Sequence, residues 1–262
     1  MSRPTFMYTT KLHSKRILIL GGTSGIGYAV AQACLEHGAS TVILSSSSAP
    51  RLGDAVLRLR ESYPELDSSR IVIHPCDLSD REHLDENVEK LLDAVTRGGT
   101  VKLDHVVFTA GDARSLGRLS EVTVEQFEIN QIVRGVAPII VAKHLPRYLG
   151  GGPDCSYTLT GGFIFSKPPP GFGVVAASGL EGLTRGLAVD MAPVRVNLVS
   201  PGVVRTEALR GLPEEVLRGL EKDTTTGRLG RPEDVAEAYL YLMKDGFVTG
   251  SILQTNGGRL LV

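Results

Sequence analysis

The sequence Ile17-Leu-Ile-Leu-Gly21-Gly-Thr-Ser-Gly-Ile-Gly27 joins a short apolar run to a turn that contains four glycines, and a helical pattern follows over residues 26–37. Gly21 permits a tight turn, whereas Gly25 and Gly27 let the backbone approach a diphosphate whose charge the helix N-terminus stabilises. Such a run is a weak signal alone, and an ordinary strand-to-helix turn is the alternative. Because it stands between a first strand and a first helix, it predicts a dinucleotide-binding loop formed by Gly21, Thr23, Ser24, Gly25, Ile26 and Gly27.

The remaining chain alternates short β-type runs with longer helical patterns. The predicted strands cover residues 17–20, 41–44, 71–75, 105–109, 156–160, 194–199 and 251–254. The predicted helices cover residues 26–37, 52–62, 81–96, 124–149, 173–191 and 232–243, with a short helix near 213–220. Parallel strands need crossover connections that are almost always right-handed. We therefore predict an α/β fold with one domain over residues 1–262: a doubly wound parallel sheet (Rossmann) of about seven strands with helices on both faces.

Composition excludes several classes of function. The 28 basic and 29 acidic residues give a net charge of -1, which favours neither nucleic acid nor an anionic membrane as a partner. The apolar run at residues 136–142 is far shorter than the roughly 20 residues that span a bilayer. The three cysteines and six histidines have no disulfide-framework or metal-ligand spacing, so no metal site is expected. Residues 1–15 contain no secretory signal pattern, and a cytoplasmic location is expected.

The end of the second predicted strand indicates the cofactor. In dinucleotide-binding sheets, an acidic residue at this point binds the ribose hydroxyls and excludes a 2'-phosphate. Here the residues are Ser45, Ser46 and Ser47, followed by Ser48, and Arg51 stands close enough to meet a phosphate. This pattern predicts NADP(H) rather than NAD(H). A solvated serine loop with a surface arginine is the alternative interpretation.

These features resemble the short-chain dehydrogenase/reductase family over residues 15–258. Further matching motifs are Cys76-Asp77-Leu78, Ala110-Gly111, Arg195-Val-Asn-Leu-Val-Ser-Pro-Gly202, Gly227-Arg-Leu-Gly-Arg-Pro-Glu-Asp-Val235 and Thr249-Gly250 before Gly257-Gly258. The cofactor contacts that this resemblance implies are Asp77 at the adenine, Ala110 and Gly111 at the adenosine ribose, and Val204 and Thr206 at the nicotinamide carboxamide, with Pro201 and Gly202 just before them. The resemblance also implies a homodimer or homotetramer.

The catalytic positions of that family are changed in this chain. The family has a Tyr and, four residues later, a Lys at the start of its fifth long helix, and the alignment places Gly173 and Ala177 there. The family's Ser falls on Thr160 or Gly161, depending on a one-residue shift. Its Asn falls on Ile132. The proton donor and its lysine are therefore missing.

The loss restricts the chemistry. A carbonyl that accepts hydride becomes an alkoxide, and a positioned acid lowers that barrier by about 3 to 5 kcal/mol. An iminium ion becomes a neutral amine on accepting hydride and needs no acid at that step.

Arg134 cannot act as an acid, but it could stabilise negative charge or orient a phosphate or carbonyl; a structural ion pair is the alternative. Thr160 either offers a hydroxyl near the nicotinamide or only ends a strand. Arg134 and Thr160 are thus the candidate catalytic residues.

Other stretches resemble the fungal reductase/Diels-Alderases of bicyclic indole alkaloid biosynthesis. These stretches are Asp104-His-Val-Val-Phe-Thr-Ala110, Val122-Thr-Val-Glu-Gln126, Ser156-Tyr-Thr-Leu-Thr160, residues 182–191 and Leu260-Leu-Val262. Those proteins use NADPH to reduce a cyclic iminium and then guide a cycloaddition, and they carry an arginine that Arg134 matches. Where they have an Asp in a Pro-Asp-Pro-Gly run, this chain has Pro169. The resemblance therefore does not by itself imply the same cycloaddition.

The substrate pocket is expected around Lys167, Pro169, Phe172 and Gly173. The run Lys167-Pro-Pro-Pro-Gly171 fixes φ at three successive residues and forms a stiff wall. Phe163, Phe165 and Phe172 either form the mouth of a pocket for a bulky apolar heterocycle or only pack the loop. Lys167 either approaches the nicotinamide ribose or is exposed.

Taken together, the sequence predicts an NADPH-dependent oxidoreductase of fungal secondary metabolism that delivers hydride to an iminium or similarly activated bond. One alternative is a non-redox cyclase or isomerase in which NADP(H) is a structural element. An inactive NADP-binding pseudoenzyme is another.

Overall fold

A single parallel sheet of seven strands lies at the centre of the computed structural model, which describes residues 6–111, 119–171 and 179–262. The strand order is β3-β2-β1-β4-β5-β6-β7, which confirms the predicted doubly wound sheet. The strands are β1 (Arg16–Leu20), β2 (Thr41–Ser46), β3 (Ile71–Pro75), β4 (His105–Phe108), β5 (Ser156–Thr160), β6 (Arg195–Pro201) and β7 (Ile252–Thr255).

Helices cover both faces of the sheet. They are α1 (Gly25–Glu36), α2 (Ala49–Ser62), α3 (Leu84–Thr96), α4 (Val124–Gln131), α5 (Ala137–Tyr148), α6 (Leu180–Asp190), α7 (Glu214–Lys222) and α8 (Pro232–Lys244). Successive residues of β1 point to opposite faces, so Leu18 and Leu20 pack with α3, α5 and α6. Ile17 and Ile19 pack with α1, α2 and α8. The two apolar layers hold the ends of the strands in register, and those ends carry the site.

The crevice at the centre of the sheet follows from the strand order. β1 pairs with β2 on one side, where Leu20 is opposite Ser45, and with β4 on the other, where Leu20 is opposite Phe108. The connections after β1 and β4 lead away from one another, which opens a crevice at the carboxyl ends of the strands. The N–H of Gly21 donates to the carbonyl of Ser45 (2.8 Å), and the N–H of Thr109 donates to Leu20 (2.8 Å).

One helix that the sequence predicts as continuous is interrupted in the structure. The single helix expected over residues 124–149 is divided into α4 and α5 by a wide π-helical turn at Ile132–Val136. The cause is Pro138, which has no N–H for the carbonyl of Arg134 and whose ring would crowd that carbonyl in a regular helix. The N–H of Ala137 donates instead to Ile132, five residues back.

The other helices agree with prediction within a few residues at each end, including the short helix α7. Of the helix expected over residues 173–191, the part from Leu180 to Asp190 is described, and residues 173–178 lie outside the described ranges. Within those ranges, no helix is long and apolar enough to cross a membrane. The same part of the chain contains no group of three or more His, Cys, Asp or Glu side chains that could hold a metal ion.

Candidate functional site

The glycine-rich turn packs against the end of β4 without space for a side chain. Gly21 has φ +88°, and a Cβ added to it would lie 2.6 Å from the backbone nitrogen of Ala110. A Cβ on Gly27 would lie 2.4 Å from both the Gly21 carbonyl oxygen and Thr109 Oγ1. Both distances are well inside van der Waals contact, so only glycine fits. The first turn of α1 therefore begins directly beside the crevice, with its N–H groups available to an anion.

A cleft of about 470 Å³ opens above this turn. Predicted residues that line it are Gly21, Thr23, Ser24, Gly25, Ile26, Gly27, Ser45, Ser46, Ser47, Arg51, Asp77, Ala110, Gly111, Arg134, Thr160 and Thr206. Of the described lining residues, none is a tyrosine or a lysine. Most of the predicted cofactor set is thus brought together in one place.

Serine side chains and Arg51 form one end of the cleft. Ser45 is 1% exposed, and its Oγ has no hydrogen-bond partner within the described residues. Ser48 caps α2 by accepting from the N–H of Arg51 at 3.4 Å. The Arg51 guanidinium forms no ion pair or hydrogen bond with any described residue. A buried hydroxyl and a cation without partners are the groups that a phosphorylated ribose would satisfy.

Asp77 is held in the cleft by its own turn. Its Oδ1 accepts from the N–H of Ser79 at 2.8 Å and from the hydroxyl of Ser79 at 2.6 Å. This arrangement fixes the carboxylate after β3, next to Leu78 in the lining. The second carboxylate oxygen remains an acceptor, as the adenine role implied by the family requires.

Of the four residues expected near the nicotinamide, only Thr206 lines the described cleft. Pro201 ends the buried strand β6, and Val204 is 8% exposed and packs in the core. A Cβ on Gly202 would lie 2.8 Å from Asn256 Cα, so packing against the chain after β7 explains this glycine. The N–H of Val204 donates to no described residue, so a backbone role for Val204 remains a prediction.

Arg134 lies in the π-helical turn and reaches the end of β4. A Cβ on Gly111 would lie 2.9 Å from Arg134 Nη2, which places the guanidinium against the Gly111 backbone. The same side chain borders a small cavity whose apolar lining residues include Pro138, Leu159 and Leu180. A permanent cation therefore stands between the dinucleotide cleft and an apolar wall.

Thr160 lines the cleft, but its hydroxyl proton is already used. Oγ1 donates to the carbonyl of Phe108 at 2.6 Å and lies 2.6 Å from the hydroxyl of Tyr239. Because a carbonyl can only accept, Tyr239 donates the second bond. Tyr239 is completely buried, and burial raises the pKa of its phenol. Of the two interpretations of Thr160, these contacts support the strand terminus: it ends β5 and anchors α8, and its proton is not available beside the nicotinamide.

Lys167 is not among the described residues that line the cleft. Its Nζ donates to the carbonyl oxygen of Val262 and lies 3.4 Å from that of Arg259. Of the two interpretations of Lys167, the structure supports the exposed lysine and not an approach to the nicotinamide ribose, because its ammonium is held by carbonyls near residue 262. Pro169 is half-buried and is not among the lining residues. The predicted pocket residues Phe172 and Gly173 lie outside the described residues.

Two of the three phenylalanines expected at the pocket, Phe163 and Phe165, lie in the described residues, and they pack the loop after β5. The ring of Phe163 lies under the Arg259 guanidinium, 4.7 Å from its Cζ to the ring centroid. Phe165 packs on the apolar core and closely approaches Gly161. Packing is thus the interpretation that the contacts of Phe163 and Phe165 support.

Sequence reasoning missed Arg58 on α2. Its Nη2 donates to the carbonyl of Thr23 at 2.5 Å, and its Cζ lies 4.2 Å from the ring centroid of Tyr28. A usable signal was present, because Arg58 follows Arg51 by seven residues, which is about two helical turns and the same helix face.

Comparisons with known proteins agree with this geometry. A model of the SDR-like Rossmann domain matches residues 8–262. The short-chain dehydrogenase/reductase malC of Malbranchea aurantiaca is 46% identical over 98% of this chain and 99% of its own length. The short-chain dehydrogenase/reductase fsr5 of Gibberella fujikuroi is 40% identical over 97% of each chain.

Solved structures give the same result. The MalC reductase/Diels-Alderase from Malbranchea aurantiaca superposes with a TM-score of 0.91 at 45% identity, covering 97% of this chain and all of that one. A short-chain dehydrogenase from Burkholderia cenocepacia, solved in complex with NADP, superposes with a TM-score of 0.81 at 26% identity over 95% of this chain and 99% of that one. The resemblance to fungal reductase/Diels-Alderases is confirmed. The chain belongs to the short-chain dehydrogenase/reductase family.

Proposed function

We propose that this protein is an NADPH-dependent oxidoreductase of fungal secondary metabolism that reduces an iminium or similarly activated bond in a bulky apolar heterocycle. The observation that carries the proposal is a dinucleotide cleft that is lined by most of the expected cofactor residues and whose described lining contains no tyrosine or lysine. The family's Tyr and Lys positions hold Gly173 and Ala177 in the sequence. We further propose that it acts as a homodimer or homotetramer in the cytoplasm.

Side chains in the cleft support NADP(H) as the cofactor. Neither the Oγ of Ser45 nor the guanidinium of Arg51 has a partner among the described residues, and both are suited to the ribose and its 2'-phosphate. The turn at Gly21 and Gly27 brings the backbone close enough to bind a diphosphate at the start of α1. When bound, NADPH supplies a hydride from C4 of its nicotinamide ring. A related short-chain dehydrogenase was solved with NADP, which adds support.

The side chains at the nicotinamide end favour a substrate that needs no proton. The proton of Thr160 is bonded to Phe108, and the phenol of Tyr239 is buried behind it. Arg134 stays charged and cannot donate a proton, but it can hold and orient a carbonyl or other electron-rich group of the heterocycle. An iminium carbon accepts the hydride pair and forms a C–H bond, while the C=N π pair becomes the amine lone pair. Charge balances without an acid.

A second candidate is a cyclase that uses bound cofactor as a wall of the pocket. It is favoured by the similarity to the MalC reductase/Diels-Alderase. Since Pro169 occupies the position where such proteins have an Asp, this chain would select a product by shape and by Arg134 alone. The protein would then bind NADP(H) without consuming it.

Cofactor stoichiometry separates these functions. The purified protein is incubated with N-methyl-3,4-dihydroisoquinolinium and either NADPH or NADP⁺, and amine and cofactor are quantified. A reductase forms one amine for each NADPH oxidised and nothing with NADP⁺. Binding of NADPH without oxidation would contradict the proposal and favour a cyclase or an inactive binding protein, which differ in whether a cyclisation precursor is converted with NADP⁺.

A further inference from the structure

Arg58 ties the glycine-rich turn to two helices. Its guanidinium donates to the carbonyl of Thr23 inside the turn and stacks on Tyr28 in the first half of α1. Thr23 is 7% exposed, and its hydrogen bond to Arg58 runs between α2 and the turn. A charge-assisted hydrogen bond of this kind is stronger than a neutral one, and the ring contact fixes the plane of the guanidinium. Arg58 therefore restrains the carbonyl side of the turn whose N–H groups face the cleft.

Arg58 forms no ion pair within the described residues. Asp54 and Glu61 stand four residues before and three residues after it on α2, spacings at which helical ion pairs form. Within the described residues neither carboxylate pairs with Arg58, whose guanidinium is directed to Thr23 instead. Arg51 lies two turns earlier on the same helix face and lines the cleft. Helix α2 thus carries two arginines on one face: Arg51 lines the cleft beside the serines, and Arg58 bonds to the back of the glycine-rich turn.

We infer that Arg58 is a positioning residue that holds the glycine-rich turn in its phosphate-binding shape and makes the site prefer the 2'-phosphorylated cofactor. This inference rests on the proposed NADP(H) binding. The 2'-phosphate adds close to two negative charges, so a neighbouring cation stabilises NADPH more than NADH even without direct contact. The hydrogen bond to Thr23 acts on both cofactors, whereas the charge acts mainly on NADPH.

The test measures dissociation constants of NADPH and NADH by fluorescence titration of the intact protein, at low and high salt. The variants are Arg58→Leu, Arg58→Lys and the matched control Arg60→Leu, which changes an exposed arginine of the same helix that has no hydrogen bond or ion pair with the described residues. Thermal melts establish that each variant is folded.

We expect Arg58→Leu to weaken NADPH binding about tenfold and NADH binding about threefold, and to flatten the salt dependence for NADPH. Arg58→Lys should retain the salt dependence but not the full affinity, because an ammonium keeps the charge and loses the planar stacked contact. Arg60→Leu should stay within about twofold of wild type. If Arg58→Leu does not fold, Arg58→Lys carries the test.

Several results would overturn the inference. The first is an unchanged dissociation constant for NADPH in Arg58→Leu, or in Arg58→Lys if only that variant folds. The second is an equal loss of affinity for NADPH and NADH. The third is the same loss of affinity in Arg60→Leu. A wild-type protein that binds neither cofactor would instead reject the proposed function itself, so the two failures are distinguishable.

Discussion

At the scale of single residues, the close approach of Gly27 to Gly21 and Thr109 gives a direct prediction. In Gly27→Ala, the added Cβ meets backbone and side-chain atoms at 2.4 Å, and the turn must shift. We expect loss of NADPH binding and a fall of about 1 to 3 kcal/mol in the free energy of unfolding. Urea denaturation and cofactor titration measure the two effects.

Gly53→Ala is the matched control. Gly53 lies inside α2, and an added Cβ there has no heavy atom within 4 Å among the described residues. Alanine should raise the free energy of unfolding by about 0.5 to 1 kcal/mol, because glycine loses more backbone entropy in a helix. NADPH bound equally well by Gly27→Ala and Gly53→Ala would show that the turn is not the diphosphate site.

His105 gives a prediction about pH. It is 1% exposed on β4, its Nδ1 lies 2.9 Å from Ser156 Oγ, and burial, with the charges of Arg195 and Lys15, lowers its pKa to about 3. Below about pH 6.5 the unfolded chain takes up a proton at this histidine and the folded chain does not, so stability falls between about pH 6.5 and pH 3.

The expected loss from His105 between about pH 7 and pH 5 is about 2 kcal/mol, at no more than about 1.4 kcal/mol per pH unit. Chemical denaturation across this range, compared between wild type, His105→Asn and the exposed control His83→Gln, isolates the contribution. The steep fall should persist in His83→Gln and disappear in His105→Asn. An equal slope in all three proteins would mean that another group is responsible.

Sequence predicts single residues well where one local motif fixes their surroundings. Gly21 and Asp77 were placed correctly in the cleft because each follows closely on a strand end, and Gly27 because it belongs to the glycine-rich run between β1 and α1. The sequence left the role of Thr160 undecided because its partner Tyr239 is 79 residues away, and no local pattern reports that bond.

At the scale of elements, the loop after β5 is held by the end of the chain. Arg259 is 9% exposed and donates to the Leu220 carbonyl and the Asp223 carboxylate of the α7 region, each at 3.2 Å, while covering the ring of Phe163. One buried cation thus joins the two segments that follow β5 and β6. In other doubly wound proteins such segments border the ligand.

Arg259→Met should loosen both segments while keeping most of the apolar volume. We expect faster hydrogen exchange in residues 163–167 and 214–222, and a loss of about 1 to 3 kcal/mol of stability from the unpaired partners. NADPH affinity should not change, because the glycine-rich turn is untouched. Arg218→Met, on the exposed side of α7 and without hydrogen bonds or ion pairs to the described residues, is the control. Unchanged exchange in Arg259→Met would refute this role.

The π-helical turn is a feature that apolar periodicity alone does not predict. The apolar periodicity of residues 124–149 is continuous enough to predict one helix. However, Pro138 has no N–H to donate to the carbonyl of Arg134, and the helix widens there. The side chain of Arg134 in this wide turn lies against Gly111. Weighting Pro138 as a helix break would have found the division. Strand positions were easier, because most strands are short runs rich in β-branched or apolar residues.

At the scale of the whole molecule, the position of residues in the proposed cofactor half of the site is easier to predict from the sequence than that of residues in the proposed substrate half. The cofactor half is built from the ends of β1 to β4, consecutive units whose order follows from right-handed crossovers. The other half depends on contacts such as Lys167 with Val262, 95 residues apart. Those contacts reflect packing of segments without regular periodicity, so residue types alone did not place them.

The central claim is that the cleft binds NADP(H) and operates without a proton donor, and isotope transfer to a matched pair of acceptors tests it most directly. C4-deuterated NADPH is supplied with N-methyl-3,4-dihydroisoquinolinium in one reaction and with α-tetralone in another, and label is measured in both products. The account predicts deuterium in the amine and at least about 100-fold slower labelling of the alcohol, because the ketone lacks its acid. Equal labelling of both products, or label in neither while NADPH is bound, would contradict it.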